Sequence, residues 1–382
     1  LAIVYAQTML IAVNTQSLIK GRLEGLGWFT HEVLCRMVNN HPDHRFLFIF
    51  DRQWDNSFVF APNVTPIRTF IPSRHPVLWL IRFNYIIPHL LKKYGADMFL
   101  STDGYIPLQP QIPTYNIIHD IGFVHYPNIQ PPLINRYYNH FFPKFARSAH
   151  RLGTVSEYSK NDISKTWNIS PEKIDVIYNG CKSMFRPMSQ VEQEKVRSKI
   201  TNGAPYFVYV GSINPRKNIE GMLRAFDSFK STTNLPHKLV IVGERMFSGD
   251  SSVAQTLNQM QYKSDVILLG RMEADELQQV TASARGLVLV SFLEGFGVPL
   301  LEAMNCNVPV ICSNVTSLPE VVGDAGLLVS PHSTDEIAEA FKQLATDNNL
   351  HQSLVDAAQL QRQKFSWEQS ATDLWNGMMK IV

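Results

Sequence analysis

The stretch Ser291-Phe292-Leu293-Glu294-Gly295-Phe296-Gly297-Val298-Pro299-Leu300-Leu301-Glu302 gathers groups that could hold an anion and a polyol. Gly295 and Gly297 admit backbone conformations closed to other residues and let a ligand come close to the main chain. Pro299 suits the first helical position, where its missing N–H is no loss. A helix starting there would point its dipole and the free N–H groups around Gly297, Val298, Leu300 and Leu301 at a phosphate. Glu294 and Glu302 have seven residues between them, and each carboxylate can accept two hydrogen bonds from the vicinal diol of a ribose or hexose. The set suits a sugar nucleotide, with the diphosphate at the helix start and a hydroxylated ring at either end. A structural alternative stays open, in which Glu294 caps the turn and Glu302 lies on a solvated helix face.

Three further groups could take part. In Gly211-Ser212-Ile213-Asn214-Pro215-Arg216-Lys217-Asn218, two cations open a helix and so oppose its dipole unless an anion sits between them. A diphosphate would meet Lys217 as a compact charge and Arg216 as a planar fork; two solvated surface cations are the alternative. His119-Asp120 ends an apolar run, where His119 could bond a sugar hydroxyl or move a proton near neutral pH, or be a buried structural histidine. Gly25-Leu26-Gly27 would permit close approach of a phosphate or sugar, although ordinary loop chemistry also accounts for it.

These groups need a frame, and the apolar runs supply one. Leu10–Val13, Arg45–Phe50, Val64–Phe70, Met98–Leu100, Tyr115–Ile118, Leu152–Val155 and Ile174–Ile177 read as short strands, with helical segments between several of them. After a turn signal at Asn179-Gly180 and a polar stretch to Pro205, the alternation restarts. Its strands are Tyr206–Val210, Leu239–Val242, Val266–Leu269, Leu287–Val290, Val308–Ile311 and Leu327–Val329. Such alternation predicts mostly parallel sheets covered on both faces, an α/β class, with ligands beyond the carboxyl ends of the strands. At 382 residues the chain exceeds one ordinary core. The expected division is 1–185 and 186–365, with a helix in 366–382 that returns toward the first domain.

Composition narrows the function classes. With 18% charged and 45% apolar residues the chain reads as a soluble globular protein. Cys35, Cys181, Cys306 and Cys312 have no metal-ligand spacing and form no disulfide framework, which fits a reducing cytoplasm. No apolar run reaches membrane-spanning length, and the residues ahead of Met9 lack the basic start of a secretory signal. They are expected to precede the natural start of the chain. Net charge is +2, yet residues 1–183 carry 18 Lys and Arg against 12 Asp and Glu, an excess that suits an anionic partner. Residues 56–96 and 121–156 contain no acid. There Arg68, Arg74, Arg82, Lys92, Lys93, Arg136, Lys144, Arg147 and Arg151 are interleaved with aromatic rings. Basic and aromatic residues on one face would suit an anionic membrane surface or a lipid diphosphate; rings packed on a sheet are the alternative. No nucleic-acid recognition motif is present.

Taken in order, the pieces resemble the retaining nucleotide-sugar glycosyltransferases of family 4, which have the GT-B fold of two Rossmann-like doubly wound domains facing a cleft. Glu294-Gly295-Phe296-Gly297 with Glu302 is similar to that family's Glu-x7-Glu signature, and Gly211 through Asn218 to its phosphate motif. Gly25-Leu26-Gly27, His119-Asp120, Val155-Ser156-Glu157-Tyr158-Ser159 and Asn179-Gly180 match in order and placement. The resemblance implies catalytic roles for Glu294, His119 and Lys217. It implies that Arg216 and Lys217 hold the donor diphosphate, that Gly27 approaches it, and that Glu302 binds the ribose diol. Glu294 and the backbone at Phe296, Gly297 and Val298 would position the donor sugar, with Arg271 and Met272 along the base. No metal or other cofactor is implied, in keeping with the lack of an Asp-x-Asp motif.

The expected activity is transfer of a hexose from a nucleotide sugar to a saccharide or lipid-linked acceptor in surface polysaccharide synthesis, in the cytoplasm or at the inner membrane face. Trp28 after the Gly-x-Gly is similar to mannosyl-transferring members and favours GDP-mannose over a UDP-sugar. A nucleotide-sugar epimerase of the same fold, or a non-catalytic sugar-nucleotide-binding module, would share these features.

Overall fold

The computed structural model describes residues 8–71, 75–244 and 252–382. Residues 1–7, among those expected to precede the natural start, and Arg74 of the basic stretch lie outside them. The chain forms two compact units, one built from residues up to Asn179 together with Ser366–Val382, the other from Gly180–Phe365.

The first unit holds seven parallel strands: β1 (Leu10–Asn14), β2 (Arg45–Phe50), β3 (Val64–Arg68), β4 (Met98–Ser101), β5 (Thr114–Ile117), β6 (Arg151–Thr154) and β7 (Ile174–Val176). Their order is β3-β2-β1-β4-β5-β6-β7. The second unit holds β8 (Tyr206–Val210), β9 (Lys238–Val242), β10 (Val266–Gly270), β11 (Gly286–Leu289), β12 (Val310–Ser313) and β13 (Gly326–Val329), in the order β10-β9-β8-β11-β12-β13. Each sheet is doubly wound, with its order reversing beside β1 and β8 respectively. Central strands are buried on both faces, which is why they read as unbroken apolar runs; Ile11, Ala12 and Val13 are wholly covered. The helix Ile219–Thr233 buries Met222, Leu223, Phe226 and Phe229 against the sheet and Phe341, about 1.5–3 kcal/mol for each large apolar side chain.

The division falls between Asn179 and Gly180, ahead of the expected 185. Lys182 packs over the Phe185 ring, and Phe185 is buried, so these residues already belong to the second unit. The terminal helix Trp367–Met379 lies on the first unit. Ser366 caps it, Ser370 Oγ donates to the Tyr178 carbonyl, and Trp375 stacks on His41 at 3.5 Å between ring centres. Arg36 and Lys380 add ion pairs to Glu368 and Asp175.

The expectation of a basic and aromatic face holds only in part. Trp79, Phe83, Tyr137, Phe142 and Phe145 are core residues, because the helices carrying them close over the sheet. Arg82 is wholly buried, its guanidinium bonded to Thr69 Oγ1, the Asn14 side chain and the Ile49 carbonyl. It opens a π-helical turn, Arg82–Ile86, where Pro88 lacks the N–H that would bond the Asn84 carbonyl. Arg136 and Lys144 do reach solvent.

Candidate active site

Both signature loops of the second unit leave the carboxyl ends of the strands beside the order reversal. Gly211–Asn218 follows β8, and Val290–Gly297 follows its neighbour β11. This is the crevice in which open α/β sheets bind ligands. The loops are laced together: the Phe292 N–H donates to the Arg216 carbonyl at 2.9 Å, and Asn218 Nδ2 donates to the carbonyls of Val290 at 3.0 Å and Pro331 at 2.7 Å.

Glu294 is the centre of the arrangement. Lys217 Nζ lies 2.5 Å from its Oε1, Arg216 Nη1 3.2 Å from its Oε2, and Ser291 Oγ donates to Oε1 at 2.6 Å. Arg216 also donates to the Leu293 carbonyl. Burial by itself would raise this carboxyl; the Lys217 and Arg216 charges outweigh it and hold it down at about 2. Glu294 is therefore a fixed anion at any working pH. It can accept hydrogen bonds or face a developing positive charge, and it has no proton to give.

The glycine-rich turn is shaped from a distance. Ser317 Oγ lies within hydrogen-bond reach of the carbonyls of Glu294 at 2.9 Å and Phe296 at 3.1 Å, and the Glu294 N–H donates to Thr316 Oγ1 at 3.3 Å. Gly297 caps the helix Val298–Asn305 with φ +102°, and a Cβ there would stand 2.7 Å from Leu318 Cδ2. Pro299 occupies the second helical position rather than the first, since the helix opens at Val298. The Leu300 N–H, expected to be free for a ligand, is taken by the Gly297 carbonyl at 2.9 Å. Gly297→Ala is expected to cost about 1–3 kcal/mol through the left-handed backbone and the clash, read as a lower denaturant midpoint.

Glu302 is not on a solvated face. It is 6% exposed, and Lys182 Nζ stands 4.0 Å from its Oε1. Burial pushes its carboxyl up to about 7, with Lys182 opposing. A buried carboxylate with one distant cation has room to accept a diol. Arg271 is exposed and Met272 half-buried, just past Gly270 at the end of β10, the outer strand of this half-sheet.

Gly27 and His119 belong to the first unit. Gly25-Leu26-Gly27 is not a loop but the first turn of the helix Gly25–Asn40, and a Cβ at Gly27 would lie 2.9 Å from the Ser17 carbonyl. The close approach visible there is by the protein's own backbone. His119 is half-buried at the end of β5, its Nε2 3.0 Å from the Thr102 carbonyl and its ring edge-on to Phe29. Burial lowers its pKa, with the Thr102 bond and Asp120 opposing. A neutral ring donating from Nε2 presents Nδ1 as an acceptor.

Comparison with known proteins assigns the chain. Residues 190–361 match the family described as Glycosyl transferases group 1, and residues 25–182 match Glycosyltransferase Family 4. The chain is 33% identical over 289 residues to O-antigen chain mannosyltransferase B of Escherichia coli, covering 75% of each protein. It is 30% identical over 290 residues to O-antigen chain mannosyltransferase RfbU of Salmonella typhimurium, covering 75% of this chain and 76% of that one. It belongs to the group 1, family 4 glycosyltransferases. Among solved structures, HepE of Anabaena in complex with UDP and glucose superposes with a TM-score of 0.74 at 17% identity, covering 97% of this chain and 99% of that one. Sucrose-phosphate synthase of Thermosynechococcus elongatus gives 0.78 at 18%, covering 97% and 98%. The glycosyltransferase thus has the GT-B fold of two Rossmann-like units.

Sequence reading missed several groups of this glycosyltransferase site. Ser291 lies inside the signature and its hydroxyl type was the available signal; Thr316, Ser317 and Lys182 arrive from distant segments with no local cue. Among the described residues no group of three or more His, Cys, Asp or Glu could hold a metal ion, and no helix is long and apolar enough to cross a membrane.

Proposed function

We propose that this glycosyltransferase moves mannose, with retention, from GDP-mannose to a saccharide or lipid-linked acceptor in surface polysaccharide synthesis. The observation that carries the reading is the Lys217–Glu294–Arg216 cluster at the β8/β11 crevice, beside the start of the helix Val298–Asn305. The names of the two O-antigen relatives favour mannose and a polysaccharide product. Arg216, Lys217 and the main chain at Phe296, Gly297 and Val298 receive the donor diphosphate and neutralise it as it leaves. Each such preorganised donor is worth roughly 3–4 kcal/mol in comparable sites. Glu294 accepts sugar hydroxyls and faces the positive charge that develops at the anomeric carbon. The departing diphosphate oxygen takes the acceptor's proton on the face it leaves, which gives retention. Glu302 accepts the ribose diol, Arg271 and Met272 border the base, and His119 offers Nδ1 to a sugar hydroxyl. No metal enters this reading, since two cationic side chains already stand where the diphosphate charge would fall. Exposed Arg136 and Lys144 would meet the anionic membrane face that holds a lipid-linked acceptor.

Thermal shift against GDP, UDP and ADP tests the donor assignment. GDP is expected to stabilise most, by about 2.7 kcal/mol at a hundred times its Kd. Lys217→Ala is expected to remove most of that shift. No response to any nucleotide, or full response in the variant, would overturn the reading.

A further inference from the structure

Three consecutive residues past the end of β12, Thr316, Ser317 and Leu318, all meet the glycine-rich turn, and two of them stand against their own local preference. Ser317 is at the N-cap of the short helix Leu318–Val322, where a serine hydroxyl ordinarily accepts from an N–H of the first turn. It makes no such bond. Wholly buried, the hydroxyl lies instead 2.9 Å from the Glu294 carbonyl and 3.1 Å from the Phe296 carbonyl, with one proton to donate between them. Thr316 has φ +61°, a left-handed conformation in which a β-branched residue is strained. Its Oγ1 accepts from the Glu294 N–H at 3.3 Å. Leu318 Cδ2 fills the space that a Cβ on Gly297 would need. Ser313, at the end of β12, adds a bond from its Oγ to the Ser291 carbonyl at 2.7 Å.

These contacts set the direction of the turn's main chain. In a trans peptide the N–H of one residue points opposite the carbonyl of the residue before it. With the Glu294 and Phe296 carbonyls turned to Ser317, the N–H groups of Gly295 and Gly297 are directed away from the β12 loop. β11 lies between β12 and β8, so that direction is the β8 side, where Arg216 and Lys217 stand. Glu294 is thus held twice: its carboxylate by cations from the β8 loop, its main chain by hydroxyls from the β12 loop. We propose that Thr316 and Ser317 are positioning residues for the transfer, holding Gly295–Gly297 so that its N–H groups meet the same anion as the two cations. They act through the turn and are assigned no contact with donor or acceptor. This rests on the diphosphate reading above and adds the part of the chain that makes the turn fit for it. Strain at Thr316 and a cap left unmade at Ser317 are local losses that the surrounding structure sustains, as is common where a site must be held in one shape.

The test is calorimetric titration of the full chain with inorganic pyrophosphate, which carries the diphosphate without a base, and with guanosine, which carries base and ribose without phosphate. Pyrophosphate is expected to bind the parent and to be lost in Lys217→Ala, which locates it at the turn. Ser317→Ala is expected to weaken pyrophosphate by about tenfold and to leave guanosine unchanged, a split that general damage to the fold does not produce. Thr316→Gly removes the strain together with the hydroxyl, so it should melt above the parent while pyrophosphate affinity falls by about fivefold. Thr316→Ser keeps the hydroxyl and should bind pyrophosphate as the parent does. Unaltered pyrophosphate affinity in both Ser317→Ala and Thr316→Gly, equal losses for pyrophosphate and guanosine, a Thr316→Gly protein that melts below the parent, or pyrophosphate binding that is absent from the parent or survives Lys217→Ala would each overturn the proposal. A wrong donor base would show with guanosine and GDP alone and leave the pyrophosphate comparison intact.

Discussion

Replacing Glu294 with Ala is expected to lower kcat by about a thousandfold while GDP binding holds or tightens. On the proposed mechanism the two effects separate, because Glu294 would serve different partners in the free and the working enzyme. Without nucleotide it neutralises Lys217 and Arg216, whose side chains are 12% and 17% exposed. Without Glu294 those cations lose the carboxylate they share, a change that costs about 3–5 kcal/mol in comparable buried pairs. A diphosphate supplies the missing charge, so the GDP-induced thermal shift of the variant should equal or exceed that of the parent. On the proposed mechanism the rate would not recover in this way, since the anion assigned to the anomeric carbon would be gone. Glu294→Gln keeps the shape and should lose the same rate with a smaller loss of stability. Initial rates of transfer from GDP-mannose, read beside nucleotide melting curves, check both halves. Near-normal turnover in either variant would remove Glu294 from the chemistry, and a vanished GDP shift would make it a nucleotide-binding residue instead.

The parts of this molecule that could be read from sequence are those whose cause is local. Tyr206–Val210 is a buried central strand, so its apolar run is unbroken and its bounds were plain. The Glu-x7-Glu spacing was legible because turn and helix start are contiguous in the chain. The helix Gln190–Thr201 was not, because among its residues it buries only Thr201 and so shows no apolar stripe. Arg82 read as a surface cation in an acid-free stretch, yet it is satisfied by a hydroxyl, an amide and a carbonyl, which carry no charge to look for. Glu302 shows the same limit from the other side. Its position on the helix was clear, but its burial, which decides its chemistry, comes from packing that no nearby residue announces.

That burial carries the second large prediction: Glu302→Gln is expected to make the protein more stable at alkaline pH and worse at binding nucleotide. In the folded protein the carboxyl rises from 4.5 to about 7. A raised folded-state pKa means its contribution to stability is complete below about 4.5 and is lost as pH climbs through about 7. At about 1.36 kcal/mol per unit the loss approaches roughly 3 kcal/mol, a cost that Lys182 at 4.0 Å does not remove. The glutamine carries no such charge, so its melting temperature should exceed the parent's at pH 8.5 and converge with it near pH 5. Binding should move the opposite way, because a ribose diol donates two hydrogen bonds and the amide offers one acceptor oxygen. GDP affinity of the variant is expected to fall about ten- to a hundredfold at pH 8, where each lost bond to a charged group is worth about 1.5–3 kcal/mol. In the parent, affinity should decline as pH drops below about 7 and Glu302 takes up its proton. The nucleotide's own terminal phosphate gains a proton near pH 6, but equally for both proteins, so the difference between their pH profiles isolates Glu302. Calorimetric titration with GDP from pH 6 to 8.5 measures that difference, and parallel profiles would show that Glu302 does not hold the ribose.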